Sequence, residues 1–439
     1  MKVGIITNGL TGILLESFEL SRRLLAEGHQ VSHFCPWDVG ERVEENGFSF
    51  VQLPPVNLFS NHEAFSSDTL GGWKSRWQYF FPRSKKKARA FLGMDAMENA
   101  LEASDIDYFI IDMQMHEPIF ACQKLGIPHV LFSQWFSLHQ SSTNPSLRSE
   151  LIPEPGWKSR LKVGWSWKME LAKVWARRRV HDALLLDARR WMLFRLAPKY
   201  GIKRSSLIKR TFPSAFIYKD KLTLSSTLAE LEFEPSPAPH LAIGPLVFES
   251  RKDGKSDSER EARLQEIKAK KSVEGVQVIY CSVSSLIAGD ESFLDNLIDA
   301  VGKRPEWELI IGLGGKIKAE TFKDLPPNVH PFDWVPQLKV LSFADLSINH
   351  AGIHSVNECI HFGVPMLLYS GKKYDQDGTA ARLQASGCAF RADKDLSSPA
   401  DIRTDIDRVL KTPSYKQQVE VYRSYYQSYR GRMLGDLLK

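Results

Sequence analysis

The chain of 439 residues lacks several features that would decide its class at once. Its five cysteines are widely spaced and form no C-x-x-C pair, so the sequence predicts no disulfide framework and favours a reducing compartment. No segment approaches about 18 consecutive apolar residues, the length that a membrane-spanning helix needs. The net charge is only +6, which by itself does not indicate a nucleic-acid-binding protein. We therefore expect a cytoplasmic protein.

The composition is otherwise that of a globular protein, with 43% apolar and 25% charged residues. A chain of this length exceeds one typical hydrophobic core, so two domains are expected. The N-terminal segment MKVGIITNGL places β-branched residues between glycines after a single lysine. It is predicted to form a first core strand rather than a signal peptide, whose apolar run would be longer.

Short β-rich segments alternate with helical patterns along the whole chain. The strand candidates are KVGIIT, QVSHF, FSFVQL, DYFIID, PHVLFS and SAFIYK in the first half, and VQVIYCS, WELIIGL, NVHPFDW, LSINH and PMLLYS in the second. This alternation predicts an α/β protein with parallel sheets covered on both faces. Two such series predict two Rossmann-like, doubly wound domains, residues 1–240 and 271–412. Between them, the segment PSPAPHLAIGPLVFESRKDGKSDSEREARL is Pro-rich and then densely charged, which predicts a linker at residues 241–270.

One segment of the second half, SINHAGIHSVNECIHFGVPM, carries His350, His354 and Glu358 at intervals of four residues. On a helix these side chains would share one face and could hold a metal ion. However, Ala351-Gly352 predicts a turn that ends the strand LSINH, and this turn places His350 before the helix. A metal site would then lack its third ligand, so we expect neither a metal nor another cofactor.

The same turn suits a phosphate. A helix that begins after a glycine turn offers unpaired N–H groups and the positive end of its dipole. Ser355 in the first turn can add a hydroxyl donor, and His350, carrying partial positive charge, can contact a phosphate oxygen. Glu358, one turn deeper, can accept hydrogen bonds from ribose hydroxyls, as carboxylates do in dinucleotide-binding folds.

Further motifs surround this segment at regular spacing: Trp-Val-Pro-Gln at 334–337, His-x-Gly-x-x-Ser-x-x-Glu at 350–358, Gly-Val-Pro at 363–365 and Asp-Gln at 375–376. The series resembles the nucleotide-sugar signature of the family 1 UDP-dependent glycosyltransferases. The resemblance implies the GT-B fold, in which two Rossmann-like domains face each other across a cleft. It also implies that the C-terminal segment 413–439 forms a helix that crosses back to the N-terminal domain.

The resemblance assigns a part of the donor, a UDP-sugar, to each motif position. Trp334 would stack on uracil, with Val335 and Gln337 beside the base. The diphosphate would be surrounded by His350, Gly352, His354, Ser355 and Ser285. Glu358 would bind the ribose, and Asp375 and Gln376 would bind the sugar hydroxyls. By resemblance, Gln376 favours glucose. His354 is a departure, because the family often has Asn there. Position 350 is His rather than a Glu paired with Glu358, which favours the inverting class.

The acceptor side departs further from the family. An alcohol or phenol needs a general base, which the family supplies as a His at the start of the first helix. Counting back from His29, that position holds Ile13. Three residues could replace the base: Asp112 after DYFIID, His116 or Glu16. Alternatively, the acceptor needs no His base, as in ester or C-glycoside formation, or the chain is a binding protein without catalysis. A nucleotide-sugar epimerase of the same fold is a third alternative for the function.

Residues 155–205 concern the acceptor. They hold 14 Lys or Arg against 3 Asp or Glu, with five Trp among them. Basic residues and Trp on a helix are typical of a membrane interface or an anionic ligand site. This pattern predicts a small, apolar or lipid-like acceptor and a peripheral membrane contact. A packed helix pair with a solvated basic face is the alternative. No nucleic-acid-binding motif accompanies the charge, so no nucleic-acid partner is expected.

Overall fold

A computed structural model describes residues 1–56, 85–183, 188–210, 213–252, 257–282, 291–315 and 317–438. Two parallel sheets flanked by helices dominate it, which confirms the predicted α/β class. Each predicted strand segment contains a strand. SAFIYK, however, lies outside the large sheets, in a small antiparallel pair.

The first sheet has seven strands in the order β3-β2-β1-β4-β5-β8-β9, all parallel. They are β1 (Lys2–Ile6), β2 (Gln30–Cys35), β3 (Ser49–Gln52), β4 (Tyr108–Asp112), β5 (His129–Ser133), β8 (Thr223–Ser225) and β9 (His240–Ala242); the antiparallel pair is β6 (Leu207–Lys209) and β7 (Phe216–Tyr218). Its helices are α1 (Thr11–Ala26), α2 (Gly40–Glu45), α3 (Lys85–Phe91), α4 (Met94–Glu102), α5 (His116–Leu125), α6 (Trp157–Ala183) and α7 (Ala188–Leu196).

The second sheet has six parallel strands in the order β12-β11-β10-β13-β14-β15. They are β10 (Gln277–Ser282), β11 (Trp307–Gly312), β12 (Val329–Phe332), β13 (Leu346–Asn349), β14 (Met366–Tyr369) and β15 (Ala389–Ala392). Its helices are α8 (Ser258–Glu274), α9 (Glu291–Gly302), α10 (Gln337–Leu341), α11 (Ile353–Phe362), α12 (Gln376–Ser386) and α13 (Pro399–Lys411), and the chain continues into α14 (Pro413–Arg430).

Both faces of each sheet are buried. In the first sheet, Ile5 and Ile110 join a core cluster on one face, while Ile6 and Ile111 join a second cluster on the other. Neighbouring residues of a strand point to opposite faces, so a run of apolar residues is required where helices cover both.

The helix α14 crosses back to the first domain, as the resemblance implies. Tyr429 packs on Gly244, where an added Cβ would lie 2.4 Å from the Tyr429 Cβ. Arg23 of α1 donates to the Tyr429 carbonyl at 3.4 Å. Beyond the helix, the Leu434 N–H donates to Glu27 Oε1 at 2.8 Å. The same helix packs on α11 through Tyr426 and His361, whose rings lie 5.0 Å apart. It therefore contacts both domains.

The segment predicted as a linker, 241–270, is folded in its second half. Helix α8 begins after Asp257, whose side chain accepts from the N–H groups of the first turn. Leu264 and Ile267 are buried, and Lys270 pairs with Glu308 of β11 at 2.9 Å. The two apolar residues three positions apart form a narrow stripe that the surrounding charges obscured in the sequence.

Among the described residues, no helix combines the length and apolar character required to cross a bilayer.

Candidate active site

The turn after β13 has the predicted geometry. Ala351 adopts a left-handed conformation (φ 61°), and its N–H donates to Asn349 Oδ1 at 2.9 Å. Gly352 is extended and no side chain caps α11, which begins at Ile353. The first N–H groups of α11 thus point out of the turn without a side-chain acceptor, an arrangement that suits an anion.

His350 follows the tip of β13, directly before this turn. An added Cβ at Gly352 would lie 2.7 Å from His350 Nε2, so only glycine lets the ring lie over the turn. Burial lowers the pKa of His350 to about 4, against a smaller opposing effect of the Ser282 backbone. The expected partial positive charge is therefore wrong for this structure, since the ring is neutral near pH 7. A neutral imidazole can still donate one N–H.

Glu358, one turn into α11, lies beside Gln337, the first residue of α10. Glu358 is 7% exposed and accepts a short hydrogen bond from Gln337 Nε2. Gln337 also donates to Ser355 Oγ at 3.4 Å and accepts from the Tyr280 hydroxyl at 3.1 Å. The other Glu358 oxygen pairs with Arg251. The sequence prediction missed Arg251, which lies in the charged part of the segment interpreted as a linker.

Trp334 lies just before α10 and has 38% of its surface exposed, whereas Val335 beside it is buried. The Trp334 carbonyl accepts from Arg260 Nη1 at 3.3 Å, which ties this loop to α8. The exposed indole can stack on a planar base.

Asp375 and Gln376 lie at the start of α12, and both are buried. Burial raises the pKa of Asp375 to about 6, partly offset by a backbone hydrogen bond and the charge of His354. Gln376 Oε1 is buried without a hydrogen-bond partner among the described residues. Lys372 and Tyr374 in the preceding loop have positive φ (55° and 54°), a conformation that needs support from its surroundings. An unpaired acceptor and a buried carboxyl suit ligand hydroxyls.

His354 joins the two domains. Its Nδ1 lies 3.0 Å from Glu16 Oε1 of α1, and its Nε2 lies 2.7 Å from Gln134 Oε1, just after β5. Glu16 also accepts from Ser226 Oγ at 2.6 Å. Burial opposes a charged His354, but the charge and hydrogen bond of Glu16, together with the charges of Glu358 and Asp375, outweigh it, so the pKa of His354 is raised. The sequence prediction missed Gln134, although a polar residue at a strand's carboxyl end is a recognisable signal.

The other two base candidates are fully buried. Asp112 is 0% exposed, its Oδ1 accepts from the Gln114 N–H at 3.0 Å, and burial raises its pKa to about 7. His116 is also 0% exposed; its ring nitrogens contact the Tyr218 hydroxyl at 2.8 Å and Ser214 Oγ at 2.6 Å. Both ring nitrogens of His116 are therefore occupied within its own domain.

Two further sequence predictions concern this region. Ser285 lies outside the described residues. Within the described part of the chain, no three or more His, Cys, Asp or Glu side chains are arranged to hold a metal ion.

Comparisons with known sequences match part of the chain. Residues 295–425 match the family model "Erythromycin biosynthesis protein CIII-like, C-terminal domain". An uncharacterized UDP-glucosyltransferase YdhE of Bacillus subtilis is 33% identical over 139 residues, 32% of this chain and 35% of that protein. Oleandomycin glycosyltransferase of Streptomyces antibioticus is 34% identical over 113 residues, 26% of each chain. The alignment thus spans about a third or less of these relatives.

Comparisons with solved structures extend over the whole chain. The glycosyltransferase of kitacinnamycin has a TM-score of 0.69 at 20% identity, covering 100% of this chain and 97% of its own. The glycosyltransferase VinC, solved in complex with dTDP, has a TM-score of 0.63 at 17% identity, covering 100% and 98%. These similarities show the GT-B fold. Together with the matched segment 295–425, which is similar in sequence to glycosyltransferases, they agree with the resemblance to GT-B glycosyltransferases.

Proposed function

We propose that this protein is an inverting, metal-independent glycosyltransferase that transfers glucose from UDP-glucose to a small, largely apolar acceptor. The observation that carries the proposal is the uncapped start of α11, where Gln337 bonds Ser355 and Glu358 and where the charge of His354 acts on the buried Asp375. The resemblance assigns these groups, with Trp334, to the base, ribose, diphosphate and sugar of the donor. The name of the relative YdhE, an uncharacterized UDP-glucosyltransferase, supports the same donor class.

The phosphate position supports a mechanism without a metal because the groups there are donors. The N–H groups of α11, Ser355 and the neutral His350 can each donate to a diphosphate oxygen. The inverting outcome is supported by the absence of a carboxylate at position 350, since Glu358 has no acidic partner eight residues before it. An in-line attack by the acceptor at the anomeric carbon then releases UDP directly.

The proposal is tested by incubating the protein with several UDP-sugars, a panel of phenolic and aliphatic alcohols and a cell lipid extract. Mass spectrometry should detect a hexosylated product and UDP, with UDP-glucose the preferred donor. Release of UDP with an altered free sugar and no acceptor would instead support an epimerase. UDP binding without turnover would support a catalytically inactive binding protein.

The donor site makes a separate prediction. Replacing His350 by Ala should weaken UDP binding about tenfold, because one hydrogen bond to a charged phosphate is lost. Isothermal titration with UDP measures this loss. His29→Ala, in the turn before β2, is the control and should bind UDP normally. Equal affinity of the His350 variant and the native protein would remove His350 from the phosphate site.

The apolar acceptor is supported by one face of α6. Trp157, Trp165 and Trp175 are 67%, 64% and 62% exposed, whereas Trp167 is buried and donates to the Asn144 carbonyl at 2.8 Å. The helix carries eight Lys or Arg and two acidic residues, one of which, Glu170, bonds Ser146. Exposed indoles among basic side chains match an anionic lipid surface. We therefore include peripheral membrane contact through residues 155–205 in the proposal.

Vesicle binding tests this contact. The protein should sediment with vesicles that contain phosphatidylglycerol more than with phosphatidylcholine alone, and added salt should weaken this binding. Changing Trp157, Trp165 and Trp175 to Ser should remove most of it. The matched control changes three exposed apolar residues elsewhere, Val273, Leu396 and Met433, and should leave it intact. Equal loss in both triple variants would indicate nonspecific apolar adsorption.

A further inference from the structure

An imidazole lies at the start of α1, although α1 itself provides none. Ile13 is fully buried in the core of the first domain. Directly beside it, a Cβ added to Gly12 would lie 2.1 Å from His354 Nε2 and 2.2 Å from its Cδ2. The ring of His354, from the second domain, therefore lies against the first turn of α1. Gly12 leaves the space that this contact requires.

The ring is held as in a His–carboxylate pair. Glu16, one helical turn beyond Gly12, has a side chain only 4% exposed and faces His354 Nδ1 at 3.0 Å. Its second oxygen accepts from Ser226 Oγ, which fixes the carboxylate. The opposite nitrogen, Nε2, faces Gln134 Oε1 at the carboxyl end of β5, where ligands of such sheets bind. The His354 side chain is 31% exposed, so part of the ring is accessible from solvent.

We propose that His354 is the general base of the transfer and that Glu16 is its positioning residue; the inference rests on the proposed function. The step begins from the neutral ring, which keeps its proton on Nδ1 beside Glu16 and has lost the Nε2 proton that faces Gln134 Oε1. The acceptor O–H then takes the place of Gln134 and passes its proton to Nε2. The acceptor oxygen forms the new bond to the anomeric carbon while the bond from that carbon to the diphosphate oxygen breaks. UDP leaves with the electron pair, and Glu16 stabilises the imidazolium through Nδ1–H.

The charges around the ring determine its pH dependence. Glu16 of α1, Glu358 of α11 and Asp375 before α12 all favour the protonated ring, whereas burial disfavours it. Their sum raises the pKa of His354 above 6.5. Only the neutral ring can accept a proton, so turnover should rise with pH through the raised pKa. Replacing Glu16 by Gln removes one stabilising charge and should move this rise to lower pH.

The first test replaces His354 by Asn, the residue that the family often has. With an aliphatic alcohol as acceptor, kcat should fall by about 10²- to 10⁴-fold, the usual contribution of a general base, and UDP affinity should be retained. An acceptor that is already ionised, such as 4-nitrophenolate, needs no base. The variant should therefore recover much of its rate with that acceptor, which a merely structural role of His354 would not predict.

The second test uses Gly12→Ala. Alanine is the better helix former, so α1 should remain folded, but the added methyl occupies the place of the imidazole. The turnover with the aliphatic alcohol should fall, and the same change in the His354→Asn background should add no further loss. Gly164→Ala in α6, where an added Cβ meets nothing within 4 Å, is the matched control.

The outcomes separate the two proposals. If no UDP-sugar is turned over by the native protein, the proposed function fails and this inference fails with it. If the native protein is active but His354→Asn keeps its kcat and pH profile, only the inference is overturned. If Gly12→Ala lowers the turnover by the same factor in the native and the His354→Asn backgrounds, the inference is also overturned.

Discussion

Replacing Asp375 by Ala is expected to lower kcat/KM for the UDP-sugar about a hundredfold, while UDP binds as before. Hydrogen bonds to a charged group contribute about 1.5–3 kcal/mol each, and loss of about 3 kcal/mol in total corresponds to this factor. Asp375 is buried at the start of α12, beside the unpaired Oε1 of Gln376, and so suits sugar hydroxyls rather than the nucleotide.

Two measurements check this expectation. Because burial raises the pKa of Asp375 to about 6, the carboxylate form is lost as pH falls below that value. KM for the UDP-sugar should then rise towards low pH, and this rise should be absent in Asp375→Asn, which keeps the shape of the side chain. If Asp375→Ala weakens the binding of UDP as strongly as the binding of UDP-glucose, Asp375 does not contact the sugar specifically.

Replacing Arg382 by Met is expected to lower the free energy of unfolding by about 3–5 kcal/mol, the usual cost of removing one partner of a buried ion pair. Arg382 on α12 is fully buried; it pairs with Glu232 at 3.2 Å and donates to Asn144 Oδ1 at 2.8 Å. Both partners belong to the first domain. Burial raises the pKa of Glu232, so this carboxyl depends on the guanidinium to remain charged.

Thermal and urea unfolding measure the effect. The double change Arg382→Met with Glu232→Gln should recover part of the lost stability, because no uncompensated charge remains. A second interdomain pair, Arg391 with Glu150 at 3.3 Å, is more exposed and serves as the control. Arg391→Met should cost less than about 1 kcal/mol, as is typical of surface pairs. If the two substitutions lower the free energy of unfolding equally, burial does not determine how much an ion pair contributes to stability.

The sequence predicted the fold wherever the signal is local. The core strands of both sheets are apolar runs between turns, and each is buried on two faces. The strands that were missed, β6, β8, β9 and β15, have three or four residues each and too few apolar positions to show a period. SAFIYK has the same composition as a core strand, and composition alone does not select its pairing partner.

The local geometry of the proposed donor site was predicted for the same reason. The strand, turn and helix from Leu346 to Phe362 place His350 before the turn, Ser355 in the first turn of the helix and Glu358 about one turn deeper, whatever surrounds them. The charge on His350 was not predictable, because the low pKa arises from burial by the rest of the domain.

The sequence by itself thus determined two parallel α/β domains and the local geometry of the proposed donor site, since both depend on residues that are neighbours in the chain. Only the tertiary structure decided which groups meet in the cleft. His354 and Glu16 are 338 positions apart, and Arg251 and Glu358 are 107 apart. No local pattern relates such residues; they meet because the carboxyl ends of two sheets face each other. Position 13 has no imidazole of its own, and the ring of His354 reaches this place only when both domains are folded together.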